Sequence, residues 1–444
     1  MGCVRVDHQQ TTPRSPIALY LSLPILSWAF YDFANTIFSS NINTIFFPFY
    51  TDEVIGTSEA RQQVASTFVS YANAIASFFL VMFSPLFGVW IDRTGYKKRF
   101  IVWFASISII ATFMMGVFGG IESESLLWGV PLSYALVVIS FVIAKFFFNS
   151  SLVFYDSMMS DLGTKQEMPL ISGFGVAVGY IGTILGLLVY LLVSDGEFHR
   201  AFIPTAILYL LFSLPLFFIN KDTPIPKNQR IHGSFFDGYK EIINTFKDMK
   251  SHKSVFTFMI AYFFINDAIA TTIAMMAIYA TVIVGFSSGQ FIVLYLVSTI
   301  STVIGSFVFG YITKRIGAKN AVSIVAILMI VSLFVAVFAY DQWMFWIAGS
   351  MFGVSLGSMW VTSRTLIIEL SPEDKRGQFF GLFAFSGKVS SIIGPVLYGT
   401  ITYQLQDYGP LASRIALSTL IVMTVIGLII HLRVKHDSND YKMG

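Results

Sequence analysis

Gly88-Val89-Trp90-Ile91-Asp92-Arg93-Thr94-Gly95-Tyr96-Lys97-Lys98-Arg99 and Gly310-Tyr311-Ile312-Thr313-Lys314-Arg315-Ile316-Gly317-Ala318-Lys319 carry one pattern twice. In each copy a glycine is followed, at the same steps, by a charged pair, a second glycine and a lysine, and each copy closes one long apolar run and precedes another. A unit that recurs within a chain decides the fold early, because both copies must bury their faces in the same way. Two copies of one membrane unit are therefore expected. Glycines let the backbone turn tightly between helices, and the basic residues hold that turn at the lipid headgroups. The copies differ at one position, where Lys314 replaces the acid that the first copy has at Asp92.

Composition agrees with a membrane chain. Of the 444 residues, 55% are hydrophobic and only 12% charged, and the mean hydropathy is +0.72. That leaves too little polar surface for a globule in water. A hydrocarbon core about 30 Å thick takes about 20 helical residues to cross, and only helices or closed barrels satisfy their backbone groups there. The apolar runs are helix-length. Twelve spans are expected, near 19–47, 63–91, 99–119, 129–159, 168–194, 200–219, 254–284, 289–313, 318–340, 342–370, 377–406 and 410–432. The first span is too long for a signal-peptide core and no cleavage site follows it. Val6 also departs from the acylation pattern that Met1-Gly2-Cys3 suggests.

Domain organisation follows from this pattern: an N-terminal six-helix bundle (1–219), a polar central loop (220–253), a C-terminal six-helix bundle (254–432) and a short tail (433–444). Within the loop, Phe235, Phe236, Tyr239, Ile242, Ile243 and Phe246 recur at helical spacing, which fits either an amphipathic helix on the membrane surface or a plain linker. Setting residue 161 on residue 369 aligns Gly173 with Gly381 and Gly186 with Gly394, so the fourth and fifth helices mirror the tenth and eleventh. Most Lys and Arg fall on the side that holds the termini and the central loop, while Arg61, Arg200 and Arg414 fall opposite. The excess of positive charge predicts that both termini and this loop are cytoplasmic. The net charge of +3 follows from that sidedness and gives no case for nucleic-acid binding.

Ionisable residues inside the spans point to function. A charge at the bilayer centre costs about 2.5 to 3.5 kcal/mol on insertion scales, so it normally faces a partner or a wet cavity. Asp32, Lys145, Asp267 and Lys388 lie a third to half of the way across, the depth at which secondary transporters bind substrate and coupling ions. Asn35 and Asn266 sit beside the two acids. Two acids and two bases near one plane can bind a zwitterion, or can form the buried pairs Asp32 to Lys388 and Asp267 to Lys145, or the reverse. Asp156 and Arg364 align in the repeat with opposite sign near the cytoplasmic ends. They are candidate partners in an inner gate, with local capping by Asp161 or Glu369 as the alternative, and Glu369 itself is a candidate conformational residue. No nucleophile stands beside a base, no His/Cys/carboxylate cluster is evident, and Cys3 is the only cysteine. Neither catalytic residues nor a metal or other cofactor is expected.

The repeated loop resembles the one between helices 2 and 3, and again 8 and 9, of the major facilitator superfamily. A narrower likeness comes from Trp28-Ala29-Phe30-Tyr31-Asp32-Phe33-Ala34-Asn35, Phe264-Ile265-Asn266-Asp267 with Thr271-Thr272-Ile273, Ser363-Arg364, and Phe379-Phe380-Gly381-Leu382 with Gly394-Pro395. These stretches resemble the family once called unknown major facilitators, which contains the vacuolar amino-acid effluxers of autophagy. Ala268 stands where that pattern has glycine, and the loops are short, as in a compact prokaryotic member. The resemblance implies a major facilitator fold of twelve helices in two pseudo-symmetric bundles. It also implies secondary active transport by alternating access. The expected cargo is a small polar solute, with an amino acid or related zwitterion moved in export as the best analogy, and protons are the candidate coupling ion. A lipid-like or siderophore-like solute is the alternative within transport, which the 16% aromatic content suits as well as it suits lipid-facing packing; a non-transporting membrane sensor is a third reading. The expected setting is a monomer in a prokaryotic plasma membrane, or alternatively in a vacuolar one.

Overall fold

The structure, a computed structural model, describes residues 14–55, 59–122, 125–127, 130–164, 166–193, 197–225, 252–286, 288–405, 408 and 410–435. Among the described residues there are twelve helical columns. In the N-terminal half these are α1 (Leu23–Phe38, continued through Ser39–Phe46 and Phe47–Ile55), α2 (Glu59–Thr94), α3 (Lys98–Gly119), α4 (Leu132–Met158), α5 (Met168–Leu187) and α6 (Phe202–Ile219). In the C-terminal half they are α7 (Lys253–Tyr279, continued through Ala280–Val284), α8 (Ser288–Ile316), α9 (Ala318–Val337), α10 (Gln342–Leu370), α11 (Arg376–Gln404) and α12 (Pro410–Leu432). Ten are long and apolar enough to cross a bilayer unaided, and α2 makes eleven when its two segments, bent by 40° about Pro85, count as one span. Column α1 falls short because its α-helical part has 16 residues before the backbone widens into a π segment. Column α7 ends in a π segment too. The amphipathic stretch expected at 235–246 lies outside the described residues.

Within each half the helices pack as one bundle, and the bundles meet through α2 with α11, α5 with α8 and α10, and α4 with α11. Glycines set the closest of these contacts. A Cβ on Gly88 of α2 would meet the carbonyl oxygen of Gly377 at 2.5 Å, and one on Gly310 of α8 would meet the carbonyl oxygen of Pro169 at 3.0 Å and Gly173 Cα at 3.5 Å. The first glycine of each loop motif therefore lies inside a helix, at a crossing with the other bundle. This differs from the tight-turn role expected for it. The second glycine makes the turn: Gly95 and Gly317 have φ of +69° and +81°, a region closed to most side chains.

Polar contacts lock the same end, hereafter the motif face. Asp222, just past α6, accepts hydrogen bonds from the backbone N–H groups of Lys97 and Lys98 at 2.7 Å and of Arg99 at 3.1 Å, supplying an anion to the free N-terminus of α3. Lys97 Nζ reaches Asp161 at 2.8 Å. Ahead of α5, Arg14 Nε and Nη2 donate to the Glu167 carboxylate at 2.9 and 3.0 Å, and the Thr164 and Arg14 N–H groups add two more bonds. Burial alone would raise this carboxyl, but the Arg14 side chain and the two backbone donors hold it at about 2.

A group whose pKa is depressed on folding stabilises the fold above its ordinary value and stops doing so as it takes up a proton. The Glu167 contribution is therefore complete above pH 4.5 and fades as pH falls towards about 2. Glu167→Gln should flatten the fall in thermal unfolding temperature across that window, as read by melting scans of the detergent-solubilised protein.

Candidate functional site

Arg364 lies about two turns before the motif-face end of α10, pointing across the seam into the N-terminal bundle. Its Nη2 is 3.0 Å from Asp156 Oδ1 and its Nη1 is 3.8 Å from Asp32 Oδ2. All three side chains are largely buried, with 8%, 17% and 10% of the Arg364, Asp156 and Asp32 side chains exposed. The guanidinium also lies within 5.8 Å of the ring centres of Tyr155 and Trp360, where ring quadrupoles favour a cation. Tyr155 is fixed in turn by Trp28, stacked at 4.6 Å, whose indole N–H donates to the Tyr155 carbonyl. The contact is ionic more than directional: Arg364 Nε and Nη1 and Asp156 Oδ1 have no hydrogen bond of good geometry. One turn from Asp32, both polar atoms of the buried Asn35 amide are likewise without a partner.

The repeat places Asp156 and Arg364 at equivalent sites, and the structure brings them together. Among the described residues it does not form the buried lysine pairs that are the alternative to a binding role for Asp32 and Asp267. Lys145, midway along α4, donates to the Asn73 amide oxygen and lies 5.7 Å over the Phe141 ring. The Lys388 ammonium of α11 makes no hydrogen bond or ion pair among the described residues, and α11 packs on α4, the helix that carries Lys145 and Asp156.

Asp267 is fully buried inside the C-terminal bundle. Its Oδ1 accepts the Gly394 N–H at 2.7 Å, while its Oδ2 and the neighbouring Thr271 hydroxyl are unpartnered. Packing against α5 and α11 shows why. Gly179 packs on Asp32, and its repeat partner Gly387 packs on Tyr262 and Asn266. The counterpart of Asp32 is thus Asn266, whose amide donates to the Gly387 carbonyl and the Ser390 hydroxyl at 2.8 Å. One residue further on is a rotation of about 100°, and that turns Asp267 into its own bundle. Glu369 stands on the last turn of α10, half-buried.

The loop motif contributes one directed lock. Asp92 accepts the N–H groups of Gly377 and Gln378 at 2.8 Å each, capping α11 from across the seam. Opposite the second copy of the motif, the equivalent helix start is Pro169, early in the first turn of α5. Proline has no N–H to cap, so Lys314 can stand where an acid would otherwise be needed. A polar chamber of about 200 Å³ lies beside this lock, lined by Asp92, Lys97, Asp161, Glu373 and Arg376 among others. An apolar gap of about 90 Å³ between α7, α8, α9 and α10 holds no charged group. The hydrogen bonds, ion pairs and glycine contacts that join the bundles among the described residues all lie between the motif face and mid-depth.

The family model described as "Vacuole effluxer Atg22 like" matches residues 50–441. An MFS-type transporter of Bacillus subtilis, YxiO, is 28% identical over 418 residues, covering 91% of this chain and 93% of its own. Autophagy-related protein 22 of Kluyveromyces lactis is 25% identical over 336 residues, covering 69% and 68%. The solved structure of the major facilitator superfamily proton:xylose symporter XylE superposes with a TM-score of 0.68 at 12% identity, over 95% of this chain and 96% of that one.

Removing an N-cap acid costs about 0.5 to 2 kcal/mol. Asp92→Ala should therefore open the motif face severalfold more often, read as faster thiol labelling of a cysteine introduced at Gln378 in a Cys3→Ser background.

Proposed function

The chain belongs to the Atg22-like vacuole effluxer family and has the major facilitator fold, a family of transporters rather than enzymes, and on that premise we propose that it moves a small polar solute by alternating access. The proposed cargo is an amino acid or related zwitterion, carried in the export direction and coupled to protons. The observation that carries this reading is the Arg364 cluster: one guanidinium from the C-terminal bundle held by two carboxylates of the other, at the seam a moving transporter must open. An ion pair that only held a static fold would be well served by tight hydrogen bonds. Here the contacts are loose, so little directional bonding is lost when the bundles part.

With the basic loops on the cytoplasmic side, the closed motif face is the inner one and this conformation faces outward. Asp92 and the glycine crossings then form the cytoplasmic seal, and Asp32, Asp156 and Arg364 the gate above it. Glu369 trims the last turn of the same helix. The coupling residue in this reading is Asp267, whose free Oδ2 can hold a proton without breaking any contact. The proposed setting is the plasma membrane of a prokaryote, with the protein acting as a monomer.

Flux into proteoliposomes of purified protein tests these roles separately. Arg364→Gln and Asp156→Asn should lower saturable amino-acid flux at least tenfold; wild-type rates in both would remove the gate. Asp267→Asn should retain exchange of solute across the membrane while losing its response to an imposed pH gradient, and an unchanged response would remove the coupling role.

A further inference from the structure

We infer that the transported solute carries a net negative charge, with its carboxylate clamped between Lys145 of one bundle and Lys388 of the other. The inference rests on the transport reading above and narrows its cargo from zwitterions in general to organic anions, acidic amino acids included.

The argument is a balance of charge. Asp32, Asp156 and Arg364 meet at the seam, and Lys145 and Lys388 lie near mid-depth on α4 and α11, which pack across it. Both carboxylates lie on Arg364. The acid that would have matched a lysine, Asp267, is turned into the C-terminal bundle and satisfied in part by a backbone N–H. The two ammonium groups are left with neutral or shared company. Lys145 has an amide oxygen and a phenyl face. The Lys388 ammonium has no hydrogen bond or ion pair among the described residues, and Asp156, the carboxylate on the helix it packs against, already lies on Arg364.

Two like charges carried on neighbouring helices oppose the approach of those helices. Those helices are α4 and α11, which pack across the seam. An anion between the lysines turns that repulsion into attraction on both sides, so occupancy favours the state in which the bundles are drawn together. That is the differential affinity a solute needs in order to shift a conformational equilibrium. A neutral zwitterion fits less well, because its ammonium group would meet three cations and no free carboxylate.

Glutamate and glutamine have the same shape and differ by one charge, and glutarate keeps two carboxylates without the ammonium. Binding of each to the full-length protein in detergent is measured by ligand-dependent thermal unfolding at neutral pH. Glutamate and glutarate should stabilise in a saturable way, with an apparent Kd at least tenfold below that of glutamine. Lys145→Gln and Lys388→Gln should each weaken both anions at least tenfold, and the double variant should abolish their effect. Without ligand, the variants should melt no lower than the parent, since repulsion has been removed, and Lys388→Arg should retain binding. Equal affinity for glutamine, anion binding that survives the double substitution, or no binding of any anionic probe would each overturn the inference. Glutamine flux in liposomes together with glutamine binding would overturn it while leaving the transporter reading intact.

Discussion

A guanidinium shared by two carboxylates at a helical seam sets the terms for the rest of this molecule. Burying an ion is costly unless its partners are close, and removing one partner of a buried pair typically costs about 3 to 5 kcal/mol because the other charge is stranded. Arg364, Asp32 and Asp156 escape that cost only while the bundles are together at the motif face. The surroundings are consistent with a contact made to be remade. Tyr155 and Trp360 give the cation a polarisable bed, while loose geometry keeps the directional hydrogen-bond share small. In a transporter such a pair must exchange protein partners for water when the face opens.

The seal below it is built from backbone more than from side chains. Two glycines from equivalent positions of the repeat, Gly88 and Gly310, let helices of opposite bundles approach until backbone meets backbone. The symmetry is broken at one atom type. Gly377 and Gln378 present N–H groups and receive Asp92, whereas Pro169 presents none and faces a motif whose acid has become Lys314. The departure of the second motif from the first is thus explained by the helix it addresses. Closure on the two sides of the pseudo-dyad differs as a result, with one charge-assisted lock and one purely steric contact.

Much of this architecture was legible in the residues alone. Apolar length gave the columns, the duplicated loop gave two bundles, and the alignment of the halves set Asp156 opposite Arg364. Rotation about a helix axis was not legible. Asn266 and Asp267 are neighbours, and a pattern of polar letters cannot say which of them faces the seam. The contact that decides it, Gly387 against Asn266 as Gly179 is against Asp32, involves helices far apart in sequence. For the same reason depth alone left open whether the lysines pair with the two acids, because depth fixes one coordinate of a side chain and leaves its azimuth open. The Asp222 cap and the Arg14 strap were missed because both acids and bases there look like ordinary loop charges. The aromatic packing of the two bundles does repeat: Trp28 and Tyr262 occupy equivalent places in the first helix of each half, and each packs on the fifth helix of its bundle.

The central claim is that the Arg364 pairs hold two otherwise separable bundles together at the motif face. It is tested most directly by the distance between spin labels at Thr164 and Asn320, exposed sites on opposite bundles at that face. The parent protein in lipid should give a distribution dominated by one short distance, and Arg364→Gln should add a second, longer population that becomes the major one. An unchanged single distribution in the variant would contradict the account.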